Sequence, residues 1–149
     1  MATDVFHRIV APTDFSDCAE EAWSLAQRVA QRLGSEIVLV HVFVEPPVYG
    51  DPPAALAALR VLAEAEKWVA DELGKWAEAA RKRGITVRTV VRRGSPSAEI
   101  VALASEEHAD LVIMGTHGRG GVSRVLLGSV ADRVIRTASC PVLTVRKPE

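Results

Sequence analysis

The residues best suited to chemistry lie in one stretch near the end of the chain, Gly115-Thr116-His117-Gly118-Arg119-Gly120-Gly121-Val122-Ser123-Arg124-Val125-Leu126-Leu127-Gly128-Ser129. It follows Ala109-Asp110-Leu111-Val112-Ile113-Met114, a nearly continuous apolar run that reads as a strand buried on both faces. A strand that empties into glycines and cations ahead of a helix brings backbone amides close to an anion. Amides and a helix N-terminus attract phosphate without any dedicated side chain. An ordinary strand-to-helix loop is the plainer alternative, although two glycines would suffice to turn and cap it. Lysine and hydroxyl are missing after the last glycine of a Walker A pattern, and Gly118-Arg119-Gly120-Gly121-Val122-Ser123 lacks the third glycine of a dinucleotide fingerprint. The cradle is therefore neither a P-loop nor a Rossmann phosphate turn.

The elements that must position this stretch follow from hydrophobic periodicity. Val5 to Pro12 reads as a first strand, and Thr13-Asp14-Phe15-Ser16 supplies turn and capping side chains. Apolar residues from Ala19 to Leu33 recur at helical steps, with Gly34 just past the end. Ile37 to Val44 is a second buried strand, and Glu45 to Pro53 a proline-rich surface loop. The helical pattern that follows places Leu59, Leu62, Ala63, Ala70, Leu73, Ala77 and Ala80 on one face and stops at Gly84. Ile85 to Arg92 alternates like an edge strand, Ser95-Pro96 starts a helix buried through Ile100, Leu103 and Ala104, and Pro141 to Arg146 is a fifth strand. Ser129 with Asp132 fits a capping pattern, so a new helix is expected to start at Ser129; a single helix kinked at Gly128 is the alternative.

Strands and helices alternate five times, which specifies an α/β fold: an open, doubly wound parallel sheet with helices on both faces. The whole chain, 1–149, reads as one domain. In such sheets ligands sit beyond the carboxyl ends of the strands, where the winding reverses, so Thr13-Asp14 and the glycine stretch would flank one crevice. A net charge of -1 supplies no field for nucleic acid or an anionic membrane, and no apolar run is long enough to span a bilayer. Without a signal-peptide pattern a cytoplasmic protein is expected. Cys18 and Cys140 have no metal-ligand spacing, and His7, His41 and His108 have no constellation around them in the sequence.

Gly115, two residues, Gly118, nine residues, then Gly128-Ser129 resembles the ATP-binding signature of the universal stress protein family. Ile9-Val10-Ala11-Pro12-Thr13-Asp14-Phe15-Ser16, Val40-His41-Val42 and Ser139-Cys140-Pro141-Val142-Leu143-Thr144-Val145 resemble the family in order and spacing, over essentially the whole chain. The resemblance implies a five-stranded sheet ordered 3-2-1-4-5, of the Rossmann-like, adenine nucleotide alpha hydrolase type. It also implies a homodimer through the C-terminal strand 141–146 and ATP held between strands one and four, with or without Mg2+ or Mn2+. Carried over by position, Pro12, Thr13 and Asp14 would touch the adenosine, Val42 the adenine, and Met114 would line the same pocket. Gly115, Gly118, Gly128, Ser129 and Val130 would serve the phosphates through amides, and His117 and Arg119 through side chains.

The implied function is a nucleotide-holding regulatory or stress-tolerance module. Slow ATP hydrolysis stays open, but Asp14 is the one obvious carboxylate in the crevice loops, and His117 is better suited to contacting phosphate or facing solvent than to acting as a base. The alternative is a nucleotide-independent dimeric scaffold for an unidentified protein partner. Flavodoxin-like electron transfer fits the topology, but no aromatic residue of the glycine stretch could stack on a flavin.

Overall fold

The computed structural model describes residues 6–118 and 126–148. Within them the chain runs β1 (Arg8–Pro12), α1 (Asp17–Leu33), β2 (Glu36–Phe43), α2 (Pro52–Arg81), β3 (Val87–Arg93), α3 (Pro96–Glu106), β4 (Leu111–Gly115), α4 (Ser129–Thr137) and β5 (Val142–Val145). All pairings are parallel, in the order β3-β2-β1-β4-β5, so β3 and β5 are the edges. This is the doubly wound sheet that the alternation of elements predicts.

Strand residues point to opposite faces in turn, and the two cores divide accordingly. Ile9, Ile37, Leu39, Leu111 and Ile113 pack beneath α1 and α2 with Ala22, Trp23, Ala26, Leu73 and Ala77. Their neighbours Val10, Val38, Val40, Val112 and Met114 pack on the other face with Ile100 and Leu103 of α3 and Val134 of α4. The apolar runs are continuous because both faces are covered.

Local signals set the helix ends. The Ser16 hydroxyl accepts from the Ala19 amide to cap α1, and Gly34, in the left-handed region at φ 72°, returns its N–H to the Ala30 carbonyl. Asp51 caps α2 by accepting from the Ala54 amide.

Two expectations about α2 are corrected. The proline-rich loop stops short of Pro52, because Pro52 and Pro53 form the first turn of the helix, where their missing N–H groups are not needed. The expected apolar face is buried only in the second half of the helix: Val69, Leu73, Ala77 and Ala80 are buried, whereas Leu59, Ala63 and Ala70 are exposed and Leu62 half-buried. Length explains this. Thirty helical residues extend about 45 Å, against about 25 Å for the eight- and seven-residue strands beside them. The N-terminal half therefore overhangs the sheet.

The overhang predicts a contrast along one helix. Leu73→Ala, at a side chain with no exposure, should cost about 3 kcal/mol of unfolding free energy in urea titration. Leu59→Ala, at 54% exposure, should stay within about 0.5 kcal/mol of the parent.

Candidate functional site

β1 and β4 pair only at Ile9↔Leu111 and Val10↔Val112. Beyond that point each leans on its outer neighbour: the Thr13 amide donates to the Val40 carbonyl at 2.8 Å and the Thr116 amide to the Val145 carbonyl at 3.0 Å. The chain after β1 goes to the α1 face and the chain after β4 to the α4 face, so the two strand ends part. A cleft of about 440 Å³ opens there. Pro12, Thr13, Asp14, Val42, Met114, Gly115, His117, Gly118, Gly128, Ser129 and Val130 all line it. Arg119 lies outside the described residues, as does most of the turn expected before Leu127.

None of the three signature glycines within the described residues has a positive φ, so what favours glycine there is close approach and not backbone conformation. A Cβ at Gly115 would meet the backbone carbonyl carbon of Cys18 at 3.0 Å. At Gly128 it would meet the Thr116 carbonyl oxygen at 2.6 Å, and that oxygen already accepts from the Gly128 amide at 2.8 Å. At Gly118 it would meet Oδ2 of Asp14 at 2.6 Å. The Asp14 carboxylate thus rests against the glycine stretch, and the loops that follow β1 and β4 meet across the cleft.

Gly128 is the N-cap of α4, and Ser129 is its first helical residue. The Ser129–Asp132 capping pattern does not form: among the described residues no side chain caps this helix, and Asp132 pairs with Arg136 one turn on. Leu126 to Gly128 are not helical, which rejects the kinked single helix. The first-turn amides have no intrahelical acceptor and open beside the cleft, carrying the partial positive charge of the helix end.

The turn after β1 is held by several bonds. Thr13 Oγ1 accepts from the Phe15 amide and Asp14 Oδ1 from the Ser16 amide, each at 3.0 Å. Phe15 sits at φ 61°, a left-handed conformation that costs a non-glycine residue about 1 kcal/mol or more and needs support from its surroundings. Its ring stacks on His41 at 5.3 Å and meets Trp68 and Trp76 edge-on at 5.3 and 5.4 Å.

His117 has both ring nitrogens on protein partners: Nδ1 with Thr116 Oγ1 at 3.0 Å and Nε2 with the Leu126 carbonyl. A carbonyl only accepts, so Nε2 carries the proton and, in the neutral ring, Nδ1 accepts from the hydroxyl. Beneath it, Cys18 Sγ donates to the Val145 carbonyl at 3.0 Å and lies 3.5 Å from Thr116 Oγ1. Burial pushes the Cys18 thiol up, but hydrogen bonds with the Thr116 side chain and with the backbone of His117, Thr116 and Lys147 outweigh it and bring the group below its ordinary value. Lys147, paired with Asp17, ties the chain beyond β5 to the start of α1 and lowers that carboxyl's pKa.

Val40, His41, Pro96, Ile100 and Thr116 also line the cleft and were missed by sequence reasoning. Val40 had a signal, being two residues from Val42 and so on its face of β2. Pro96 and Ile100 required knowing that α3 starts above the end of β2. His41, on the opposite face of β2 from Val42, had none. Among the described residues, no group of three or more His, Cys, Asp or Glu side chains could hold a metal ion, and no helix is long and apolar enough to cross a membrane.

A family model described as the universal stress protein family matches residues 6–146. The chain belongs to that family. This universal stress protein is 39% identical over 147 residues to universal stress protein MJ0531 of Methanocaldococcus jannaschii, a match covering 98% of this chain and 85% of the relative. Its fold superposes on hypothetical protein MJ0577 of the same organism with a TM-score of 0.85 at 28% identity, over 97% of this chain and 99% of that one. A universal stress protein solved in complex with cAMP superposes with a TM-score of 0.64 at 28% identity, over 94% of this chain and 96% of that one.

The glycine contacts predict unequal stability effects for the same substitution. Gly128→Ala presses a methyl group onto a backbone oxygen and should cost about 1–3 kcal/mol. Gly118→Ala meets the end of a side chain instead of backbone, and thermal unfolding should show a smaller loss, about 1 kcal/mol or less.

Proposed function

We propose that this universal stress protein holds ATP in the cleft between β1 and β4 and acts as a cytoplasmic regulatory, stress-tolerance module. The observation that carries this reading is the N-terminus of α4, which lies beside Gly115, Gly118 and Gly128 at one side of a cleft lined elsewhere by Val40, Val42, Pro96, Ile100 and Met114. Polar amides at one side and an apolar wall at the other suit a molecule with a phosphate tail and a flat base. The family member solved with cAMP supports a nucleotide of the adenine class.

In this reading the amides of Gly115, Gly118, Gly128, Ser129 and Val130 face the phosphates, with Arg119 adding a cation. Pro12, Thr13, Asp14, Val42 and Met114 line the adenosine end. His117 serves the phosphates through its side chain only by giving up the Leu126 carbonyl, so its first duty is to the loop. Mg2+ or Mn2+ would arrive with the nucleotide and rest chiefly on phosphate oxygens, since Asp14 is the one carboxylate among the described lining residues. A ring engaged at both nitrogens is a poor general base, and the reading is a holder of nucleotide more than a hydrolase.

A homodimer through residues 141–146 belongs to the same proposal: β5 is an edge strand, and Leu143 on it and Ile135 on α4 are exposed. The same surface is what favours the second reading, a dimeric scaffold that needs no nucleotide.

Calorimetry with ATP, ADP and AMP tests the proposal. ATP should bind, and Gly118→Val should weaken it about tenfold or more, because its branched side chain forces Asp14 aside and fills the phosphate approach, while the unfolding midpoint holds. Undiminished ATP affinity in that variant would reject the cradle, and a wild-type chain that takes up none of the three would favour the scaffold.

A further inference from the structure

We infer that His41 is the positioning residue for the Thr13-Asp14 side of the cleft, acting through a hydrogen bond from its Nδ1 to the Thr13 carbonyl. The inference rests on the nucleotide reading above for its ligand, but its geometry is independent of it.

The Nδ1 of His41 lies 2.8 Å from the Thr13 carbonyl oxygen, across 28 positions of sequence. That oxygen can only accept, so Nδ1 must carry the proton, and the bond selects one tautomer of the imidazole. The same ring lies at 25° to the ring of Phe15, with centroids 5.3 Å apart. One side chain from β2 thus holds the turn after β1 at two successive places: the carbonyl that precedes Asp14 and the aromatic ring that follows it. Phe15 is the residue in the left-handed conformation, and a turn of that shape persists only where its surroundings over-determine it.

What the turn presents is the carboxylate of Asp14, whose Oδ2 occupies the space beside Gly118 that a Cβ would fill. If the Thr13 peptide rotates, Asp14 leaves the glycine stretch and the wall of the cleft changes shape. Thr13 is itself buried, so its carbonyl, deprived of the imidazole, would seek another donor by moving. Although His41 itself lines part of the cleft, the effect inferred here acts through the backbone of Thr13, which makes it a positioning residue.

Two substitutions separate the hydrogen bond from the ring stacking. His41→Phe keeps an aromatic ring against Phe15 and removes the donor, whereas His41→Asn sets an amide nitrogen near the place of Nδ1 and removes the ring. ATP affinity should fall about fivefold to tenfold in His41→Phe, the loss of one hydrogen bond to a buried carbonyl, and His41→Asn should restore most of it. Circular dichroism of both variants checks that the sheet is intact. Nitrogen-15 NMR of the wild-type imidazole, without nucleotide and at a pH where the ring is neutral, should show Nδ1 protonated and Nε2 bare. Parent-like ATP affinity in His41→Phe, or a wild-type ring protonated at Nε2 alone, overturns the inference. A wild-type chain that binds no ATP yet shows the Nδ1 proton sinks the nucleotide reading and leaves the His41 clamp on the turn standing.

Discussion

The site depends on the parting of two adjacent parallel strands. β1 and β4 share a ladder for only two residue pairs before each turns its hydrogen bonds outward, β1 to Val40 and β4 to Val145. Their connections leave on opposite faces of the sheet, as a right-handed crossover on each side requires. The space between the strand ends is consequently bounded by backbone, and the residues that enter it do so as turns and a helix start. On the proposed reading, this is why phosphate is met so largely by main-chain groups.

Glycine at 115, 118 and 128 lets those main-chain surfaces meet. Each stands where a Cβ would collide with the protein itself: the start of α1, the Asp14 carboxylate, or the Thr116 carbonyl. The same compactness fixes the start of α4 over the cleft, because Gly128 both donates to Thr116 and lies flat against it. With a net charge of only -1, the protein as a whole exerts little pull on an anion. On the proposed reading, attraction is local, from amides held in place before any ligand arrives.

Most of the architecture was legible because it follows from periodicity. Ile9-Val10 and Ile37-Val38-Leu39-Val40 are apolar throughout, and only a sheet covered on both faces uses such runs. The glycine spacing was legible too, although its reason was not: spacing shows that Cβ atoms are absent, while the contact each absence permits lies in distant sequence. Helix pattern alone could not say that α2 is longer than the surface it covers, so Leu59 and Leu73 looked alike. Ser129 resembled a cap because pattern cannot tell an N-cap from the residue after it. His41 was invisible for a different reason. The partners described for it, Thr13 and Phe15, lie 28 and 26 positions away, and the first is met through a carbonyl, which every residue possesses.

The aromatic cluster behind the turn has an optical consequence. Phe15 is wedged between the edges of Trp68 and Trp76, and Trp76 lies over Trp23 at 6.1 Å. Trp68 is half in solvent while Trp23 is buried, so the three indoles of the chain sample graded polarity within one contiguous aromatic cluster. Because Phe15 belongs to the Asp14 turn, a change in that turn alters the surroundings of Trp68 and Trp76, and their ultraviolet emission is expected to follow it without any label attached to the protein.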